Sequence, residues 1–290
     1  MDPNPLPQQS RNPRTLSRRE LAQAALASAI VATIGAPSSA IAQGCTSVPA
    51  TLRQAMKRLE RAYPDFIASA DERNLLWKDG TSMSTILFPP GRSTTDTIRN
   101  PDLAAQVSQI YPRGNCSIPA DPLADPGRTR YAPFFDKIYG ANRAEVSRNL
   151  VQVAWPSRHA GATIEFTRVN GAADHLHKVA SELSSLPPEF HRFFDSPSGG
   201  FYWRNIAGTN RRSGHAFGIA IDVNVSQSDY WRNELHGAPD EPINWRSRHP
   251  RNRIPHEVVK IFERHGFIWG GKWFHYDTMH FEFRPEMLLP

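Results

Sequence analysis

Two short segments in the C-terminal third combine histidine and carboxylate residues at spacings that suit a metal site. The first contains His215 and Asp222, and the second contains Asp277 and His280. Two imidazole nitrogens and one carboxylate oxygen are a fitting donor set for zinc, which leaves a fourth position for water. Zinc lowers the pKa of such a water toward about 7, so a neighbouring carboxylate can take its proton. We therefore interpret His215, Asp222 and His280 as zinc ligands and Asp277 as that carboxylate.

The spacing of these residues limits the elements that can carry them. Between His215 and Asp222, a turn through the small residue Gly218 can lead the chain into a strand, so that both side chains point at one centre. Asp277 and His280 are three positions apart, and on a flat strand they would lie on opposite faces. We therefore predict that Asp277 lies in a turn just before the strand that carries His280.

Hydrophobic patterning predicts helices mixed with short strands around these segments. Apolar spacing predicts helices over residues 52–63, 171–186 and 255–266, and short apolar or alternating runs predict strands over 150–155, 163–169, 218–225 and 281–283. These elements do not alternate in a repeating order, so we predict an α+β fold and not a doubly wound parallel sheet. From residue 88 to 133 the composition shifts to Pro, Gly, Asp, Arg and Thr, which predicts an irregular wrap or linker without chemistry.

The first 42 residues have the organisation of an export signal. Basic residues, among them Arg18 and Arg19, precede a modestly apolar run over residues 21–36, and a small-x-small sequence follows at residues 40–42. The arginine pair is typical of the twin-arginine route. We predict that this signal is removed and that the mature chain is periplasmic or extracellular. The alternative is an amphipathic helix that stays attached.

Composition excludes several classes of protein. The chain has 290 residues, of which 39% are hydrophobic and 21% charged, which excludes wholesale disorder. The sequence contains no run of about 18 apolar residues, so we predict no stable membrane span. The net charge of +6 suits a polyanionic neighbour such as nucleic acid or cell wall, but no helix-turn-helix or aromatic-basic array supports nucleic-acid binding. Cys45 and Cys116 can form a disulfide after export, with free thiols as the alternative.

The chemistry-bearing segments resemble a family of zinc peptidases. The pattern is Ser-x-His-x6-Asp, followed by Gly-Gly-x-Trp and Asp-x-Met-His-Phe, and it is densest over residues 200–285. It resembles the D-alanyl-D-alanine carboxypeptidases and L-alanyl-D-glutamate endopeptidases of peptidase family M15, which cut the stem peptides of bacterial peptidoglycan. The resemblance implies a zinc peptidase domain over residues 131–290, with a small antiparallel sheet and flanking helices, as in DD-peptidases and the Hedgehog domain. Residues 43–130 then form a helical and loop-rich N-terminal extension of unknown role.

The resemblance also implies roles for individual residues. His215, Asp222 and His280 correspond to the ligands of one Zn²⁺ ion, Asp277 to the general base, and Arg204 to the arginine that stabilises the substrate carbonyl as it becomes an oxyanion. The Gly-Gly-Lys-Trp sequence and an aspartate as the base are closer to the endopeptidase branch. The bond that is cut, D-Ala–D-Ala or L-Ala–D-Glu, is left open.

Three further residues are candidates for supporting roles. We predict that Ser213 forms a hydrogen bond within the ligand loop and orients His215. Trp273 and His275 are candidates to contact the substrate or to support a ligand. A second hypothesis for the whole chain is a catalytically silent, zinc-stabilised module that binds the cell wall. Such a module would lack the base or the arginine, and both are present in this sequence.

Overall fold

The first described helix packs its apolar face into the core. The computed structural model describes residues 50–116, 118–119, 121, 124–234 and 253–290. Helix α1 (Leu52–Ala62) begins at Thr51, where the side chain of Thr51 accepts from the Gln54 N–H and the side chain of Gln54 accepts from the Thr51 N–H. This capping box satisfies two N–H groups that the helix itself cannot bond. Met56 and Leu59 are fully buried, as the predicted helical pattern requires.

Short elements follow that the sequence pattern did not predict. An antiparallel sheet of three strands has the order β1 (Ile67–Ala70), β2 (Asn74–Trp77) and β3 (Ser82–Ser84). Two short helices, α2 (Thr94–Arg99) and α3 (Leu103–Val107), begin at the side-chain caps Ser93 and Asp102. The helices lie inside the segment predicted to be irregular. Caps and strand pairing fix elements of three to six residues, which are too short to show an apolar period.

The middle of the chain agrees with the predicted strands and helix. It contains α4 (Ala132–Tyr139), α5 (Arg143–Ser147), β4 (Leu150–Ala154), β5 (Thr163–Thr167), α6 (Ala172–Ser184) and α7 (Pro188–His191). Strands β4 and β5 form an antiparallel pair in which Val153 lies opposite Ile164 and Val151 opposite Phe166. The buried face of this hairpin packs against α6, so the hairpin and the helix form two adjacent layers.

The last elements include a second three-stranded sheet. In chain order they are a 3₁₀ helix (Gly214–Phe217), β6 (Ala220–Asp222), α8 (Trp231–Glu234), α9 (His256–Arg264), β7 (Phe267–Trp269) and β8 (His280–Phe283). The sheet is antiparallel with the order β6-β8-β7, so β8 is the central strand. Helix α9 packs on the sheet, with Phe262 stacked on Phe281 at 3.8 Å between ring centroids. Small antiparallel sheets with flanking helices confirm the predicted α+β class.

A continuous apolar core joins the N-terminal and C-terminal elements. Met56 of α1, Phe134 of α4 and Phe281 of β8 belong to the same cluster of buried side chains. The described residues accordingly lie in one compact unit. None of the helices in the described part of the chain is long and apolar enough to cross a membrane. The predicted export signal and Cys45 lie outside the described residues, and the domain boundary at residue 130 stays a prediction.

Candidate metal centre and active site

The side chains of His215, Asp222 and His280 meet at one point. The Nε2 atom of His215 is 3.1 Å from Oδ1 of Asp222 and 3.2 Å from Nδ1 of His280, and that Nδ1 is 3.0 Å from the same oxygen. Zinc binds such atoms at about 2.0–2.2 Å in tetrahedral sites, which places the ligand atoms about 3.3 Å from one another. The observed triangle is close to that size. The three atoms therefore fit one ion and leave its remaining side toward the cavity.

Local backbone structure brings these three residues together. Gly218 ends the 3₁₀ helix of His215 with a φ of 67°, and a Cβ at this position would lie 2.7 Å from a methyl group of Leu150. Glycine is therefore required there for both its conformation and its size. The turn leads directly into β6, and the register of β6 with β8 places Asp222 opposite His280. The predicted turn into a strand is confirmed.

Each histidine is oriented by a hydrogen bond from its other ring nitrogen. The Nδ1–H of His215 donates to the carbonyl of Gly200 at 2.6 Å, and the Nε2–H of His280 donates to Glu282 at 3.3 Å. These bonds use one ring nitrogen of each histidine and leave His215 Nε2 and His280 Nδ1 turned toward Asp222. Partners of this kind fix the ring orientation and the tautomer of metal-binding histidines. Ser213 is predicted to orient His215, but the group that bonds its Nδ1 is the Gly200 carbonyl.

Glu282 is a supporting residue that the sequence reasoning missed. Its side chain is completely buried, and it bonds Arg130 and lies 3.3 Å from Nη1 of Arg284. Burial raises the pKa of Glu282, but the charge of Arg130 and the hydrogen bond from His280 outweigh it and hold the pKa at about 2. Glu282 is therefore ionised and keeps the proton on His280 Nε2. Its sequence signal is its position two residues after His280, on the same face of a strand.

Asp277 lies beside the three residues and has an unpaired oxygen. It precedes a turn into β8, in which the His280 N–H donates to the Asp277 carbonyl at 3.1 Å, as predicted. Gly270 accepts the Asp277 N–H at 3.0 Å, and a Cβ on Gly270 would lie 2.3 Å from the Asp277 carbonyl oxygen. Among the described residues, Oδ1 of Asp277 has no hydrogen-bond partner. Burial and the nearby charge of Asp222 raise the pKa of Asp277 to about 7, which suits a general base near neutral pH.

Arg204 and Ser213 lie on the same side of the cavity. The Ser213 N–H donates to the Arg204 carbonyl at 3.1 Å, so the two residues are adjacent in space. Arg204 is exposed, and its charge lowers the pKa of Asp277 against the effect of burial. Ser213 is buried immediately before the 3₁₀ helix of His215, and its side chain does not cap that helix. Arg204 therefore offers positive charge close to the predicted base.

A cavity of about 210 Å³ is lined by every residue that the sequence proposed for the metal and catalytic site. Its lining includes His215, Asp222, His280, Asp277, Arg204, Ser213, Trp273 and His275. The structure therefore places the predicted ligands, base, arginine and supporting residues around a single space. Their catalytic and metal-binding roles stay predictions.

The loop 124–130 supplies another part of the cavity, which no sequence pattern indicated. Gly127, Arg128 and Arg130 line the cavity, and Asp125 bonds Nδ1 of His275. Backbone bonds hold the loop in place, since the Phe274 N–H donates to the Ala124 carbonyl at 2.9 Å. In the sequence, Asp125-Pro126-Gly127 indicates only a turn. His275 and Phe274, which bond Asp125 and Ala124, lie about 150 positions further along the chain, so no local sequence pattern indicates these contacts.

Comparison with known proteins supports a peptidase. Residues 207–283, about a quarter of the chain, match the model of a family described as D-alanyl-D-alanine carboxypeptidase, within peptidase family M15. The matched segment contains the three predicted zinc ligands and Asp277. It supports assignment to the M15 peptidases and hydrolysis of peptide bonds. Searches among curated proteins and among solved structures gave no match.

Proposed function

We propose that this chain is a zinc-dependent peptidase that hydrolyses peptide bonds in the stem peptides of bacterial peptidoglycan. The observation that carries this proposal is the convergence of two imidazole nitrogens and one carboxylate oxygen next to Asp277, whose Oδ1 has no partner among the described residues. The match to a family described as D-alanyl-D-alanine carboxypeptidase supports the reaction and the substrate class.

The donor atoms fit zinc. His215 Nε2, Asp222 Oδ1 and His280 Nδ1 would hold the ion, and the carboxylate gives the set one negative charge. When bound, zinc supplies Lewis acidity toward the scissile carbonyl and the attacking water. The protein holds the ligands before the ion arrives, because Gly200 and Glu282 already fix both rings.

Asp277 moves the proton in this reaction. Its unpaired Oδ1 accepts a proton from the attacking water and returns it to the leaving amine. A pKa raised to about 7 by burial and by Asp222 makes the carboxyl group able to take and release a proton near neutral pH. Arg204 adds a fixed positive charge where negative charge grows on the carbonyl oxygen, an effect of about 3 kcal/mol in comparable sites.

The sequence and the family match favour different bonds. The matching family is described as a D-alanyl-D-alanine carboxypeptidase. By contrast, the Gly-Gly-Lys-Trp sequence and the aspartate at position 277 favour an L-alanyl-D-glutamate endopeptidase. Mass spectrometry of the products from one defined muropeptide distinguishes the two. Loss of a terminal D-alanine identifies the first activity, and release of a peptide that begins with D-glutamate identifies the second.

Export completes the proposal, because peptidoglycan lies outside the cytoplasm. The predicted twin-arginine signal over residues 1–42 would deliver the chain to the periplasm or beyond. A fusion of these residues to a reporter that is active only after export tests this step. Replacement of Arg18 and Arg19 by lysine is expected to abolish export, and unchanged export would contradict the route.

The Asp277→Asn variant tests the catalytic proposal. It removes the base but leaves the three metal-binding side chains, so zinc content is expected to be retained while muropeptide cleavage is lost. Wild-type protein and the variant are compared on purified sacculi and on stem peptides. If both proteins are inert but bind sacculi equally, the catalytically silent cell-wall-binding module replaces the peptidase as the better account.

A further inference from the structure

Three residues at every second position, 273, 275 and 277, each turn an unsatisfied polar atom toward the cavity. Trp273 Nε1, His275 Nε2 and Asp277 Oδ1 are buried, and none has a hydrogen-bond partner among the described residues. All three side chains line the cavity, whereas the intervening Phe274 and Tyr276 are buried in the interior. Buried polar atoms without partners are rare in folded proteins, because each costs free energy until a partner is supplied. Asp277 is the proposed base, but the other two atoms have no part in the mechanism above.

A buried carboxylate holds His275 in place. Asp125 is completely buried, and its Oδ2 accepts both the Nδ1–H and the backbone N–H of His275. The edge of the imidazole also packs against Trp231, with ring centroids 4.7 Å apart and planes at 70°. His275 is only 3% exposed. The ring therefore has one orientation, with Nδ1 bonded and Nε2 left for a ligand.

The pairing also determines what Nε2 can offer. Nδ1 donates its proton to the Asp125 carboxylate, so a second proton on the ring can lie only on Nε2. In the imidazolium both ring nitrogens carry protons. Nε2 is then a hydrogen-bond donor toward the cavity. Trp273 Nε1 is a donor in every state, because an indole has no acceptor atom.

Trp273 is fixed as firmly as His275. Its indole ring lies directly on the backbone of Gly127, where a Cβ would approach the ring to 2.0 Å. The indole ring also packs against the ring of His280, at 5.3 Å between centroids and 61° between planes. The loop 124–130 therefore supports both donors. The carboxylate of Asp125 bonds His275, and the backbone of Gly127, which has no Cβ, lies against the Trp273 ring.

We propose that His275, oriented by Asp125, and Trp273 donate hydrogen bonds to acceptor oxygens of the peptide substrate and so position the substrate against Asp277. This inference rests on the proposed peptidase function. The acceptor is a backbone carbonyl or a free carboxylate of the peptide. Both residues are positioning residues, since neither moves a proton nor holds the ion.

The first test separates substrate binding from catalysis. His275→Gln and Asp125→Asn are compared with wild type for kcat, KM and zinc content on a defined stem peptide. Loss of a hydrogen bond formed in both ground and transition state is expected to raise KM about 10- to 100-fold, with kcat and zinc content nearly unchanged. The matched control is His265→Gln, because His265 also pairs with a carboxylate, that of Glu182, but does not line the cavity. The control is expected to keep the wild-type KM.

A pair of substrates distinguishes the two kinds of acceptor. The same peptide is prepared with a C-terminal carboxylate and with a carboxamide. If His275 binds the carboxylate, the effect of His275→Gln on KM disappears with the carboxamide. If His275 binds a backbone carbonyl, the effect is equal for both peptides. Either result supports the inference.

A second measurement needs no variant that might alter folding. In ¹⁵N-labelled wild-type protein, the imidazole nitrogens of His275 are observed before and after addition of a stem peptide whose scissile amide is replaced by an uncleavable isostere. We expect a protonated Nε2 whose resonance shifts on binding, while that of His265 does not. An active wild type with an unshifted Nε2 and an unchanged KM in His275→Gln would overturn only this inference. A wild type that cleaves no stem peptide would overturn the proposed function as well.

Discussion

Two sides of the cavity are built from different chemistry. The ligand side consists of His215, Asp222, His280 and Asp277, whose polar atoms are turned toward the cavity. The support side is the loop 124–130. Its charged groups mostly bond other groups of the protein, as in the contacts of Arg130 with Glu282 and of Asp125 with His275. The ligand side can act on an ion or a substrate directly. The support side acts by fixing the position of residues that do so.

This difference predicts different consequences of mutation. Loss of a ligand-side group removes chemistry but leaves a polar cavity that water can fill, so the fold is expected to survive. Loss of a support-side group leaves a buried charge or a displaced ring, so stability and substrate binding change first.

The largest effect is expected from His215→Ala. It removes one of three predicted donors, so zinc content falls to background and peptide hydrolysis falls by at least about 1,000-fold. Thermal unfolding of the ion-free protein is expected to change little. Zinc content by atomic emission and activity on muropeptides check this, with His265→Ala as the control. Full zinc content in His215→Ala would show that the ion lies elsewhere.

On the support side, Arg130→Met is expected to destabilise the fold. The side chains of Arg130 and Glu282 are 6% and 0% exposed, so the variant leaves a buried carboxylate with Arg284 and the His280 ring as its remaining partners. The free energy of unfolding is expected to fall by about 3 kcal/mol, measured by urea denaturation. The double variant Arg130→Met, Glu282→Gln is expected to recover part of the loss. Equal stability of Arg130→Met and wild type would remove the distinction between the two sides.

Zinc affinity is expected to depend on pH through His280. Burial lowers the pKa of its imidazolium, but hydrogen bonds to Asp222 and Glu282 outweigh this and raise the pKa to about 9. The ion-free protein therefore carries a proton on His280 at neutral pH, and the ion must displace it. Affinity is expected to fall about tenfold for each pH unit below 9, measured by competition with a chelator. An affinity that stays constant over this range would contradict the predicted ligand role of His280.

The smallest effect is expected from Gly127→Ala. The added methyl group would overlap the Trp273 ring, so the ring must shift away from the loop. KM is expected to rise about tenfold or less, the value of one weakened hydrogen bond, while zinc content stays at the wild-type level. Arg158→Ala is a control for expression and handling, because Arg158 is exposed and does not line the cavity. A wild-type KM in Gly127→Ala would separate the loop from substrate binding.

The ligand side was accessible from the sequence because its chemistry restricts residue types. Zinc requires nitrogen, sulfur or carboxylate donors, so only a few residue types can be ligands. His215, Asp222 and His280 could therefore be recognised from their residue types and their spacing. Gly218 and the turn before β8 followed from the same geometry and are confirmed. The family resemblance added Arg204, which lines the cavity.

The support side could not be predicted, because its contacts link distant positions. Asp125 pairs with His275 and Arg130 with Glu282 across about 150 residues. Charged residues in a Pro- and Gly-rich segment are usually solvated, and nothing local marks these two as buried. Ser213 shows a related limit, since a backbone carbonyl, which any residue can provide, orients His215.

The central claim is that three side chains, distant in the chain, bind one zinc ion. Crystals of the protein grown with zinc, measured on both sides of the zinc absorption edge, test it most directly. We expect a single anomalous peak at about 2.0–2.2 Å from His215 Nε2, Asp222 Oδ1 and His280 Nδ1. A peak bound by other residues, or full peptidase activity in crystals and solution without any ion at this position, would contradict it.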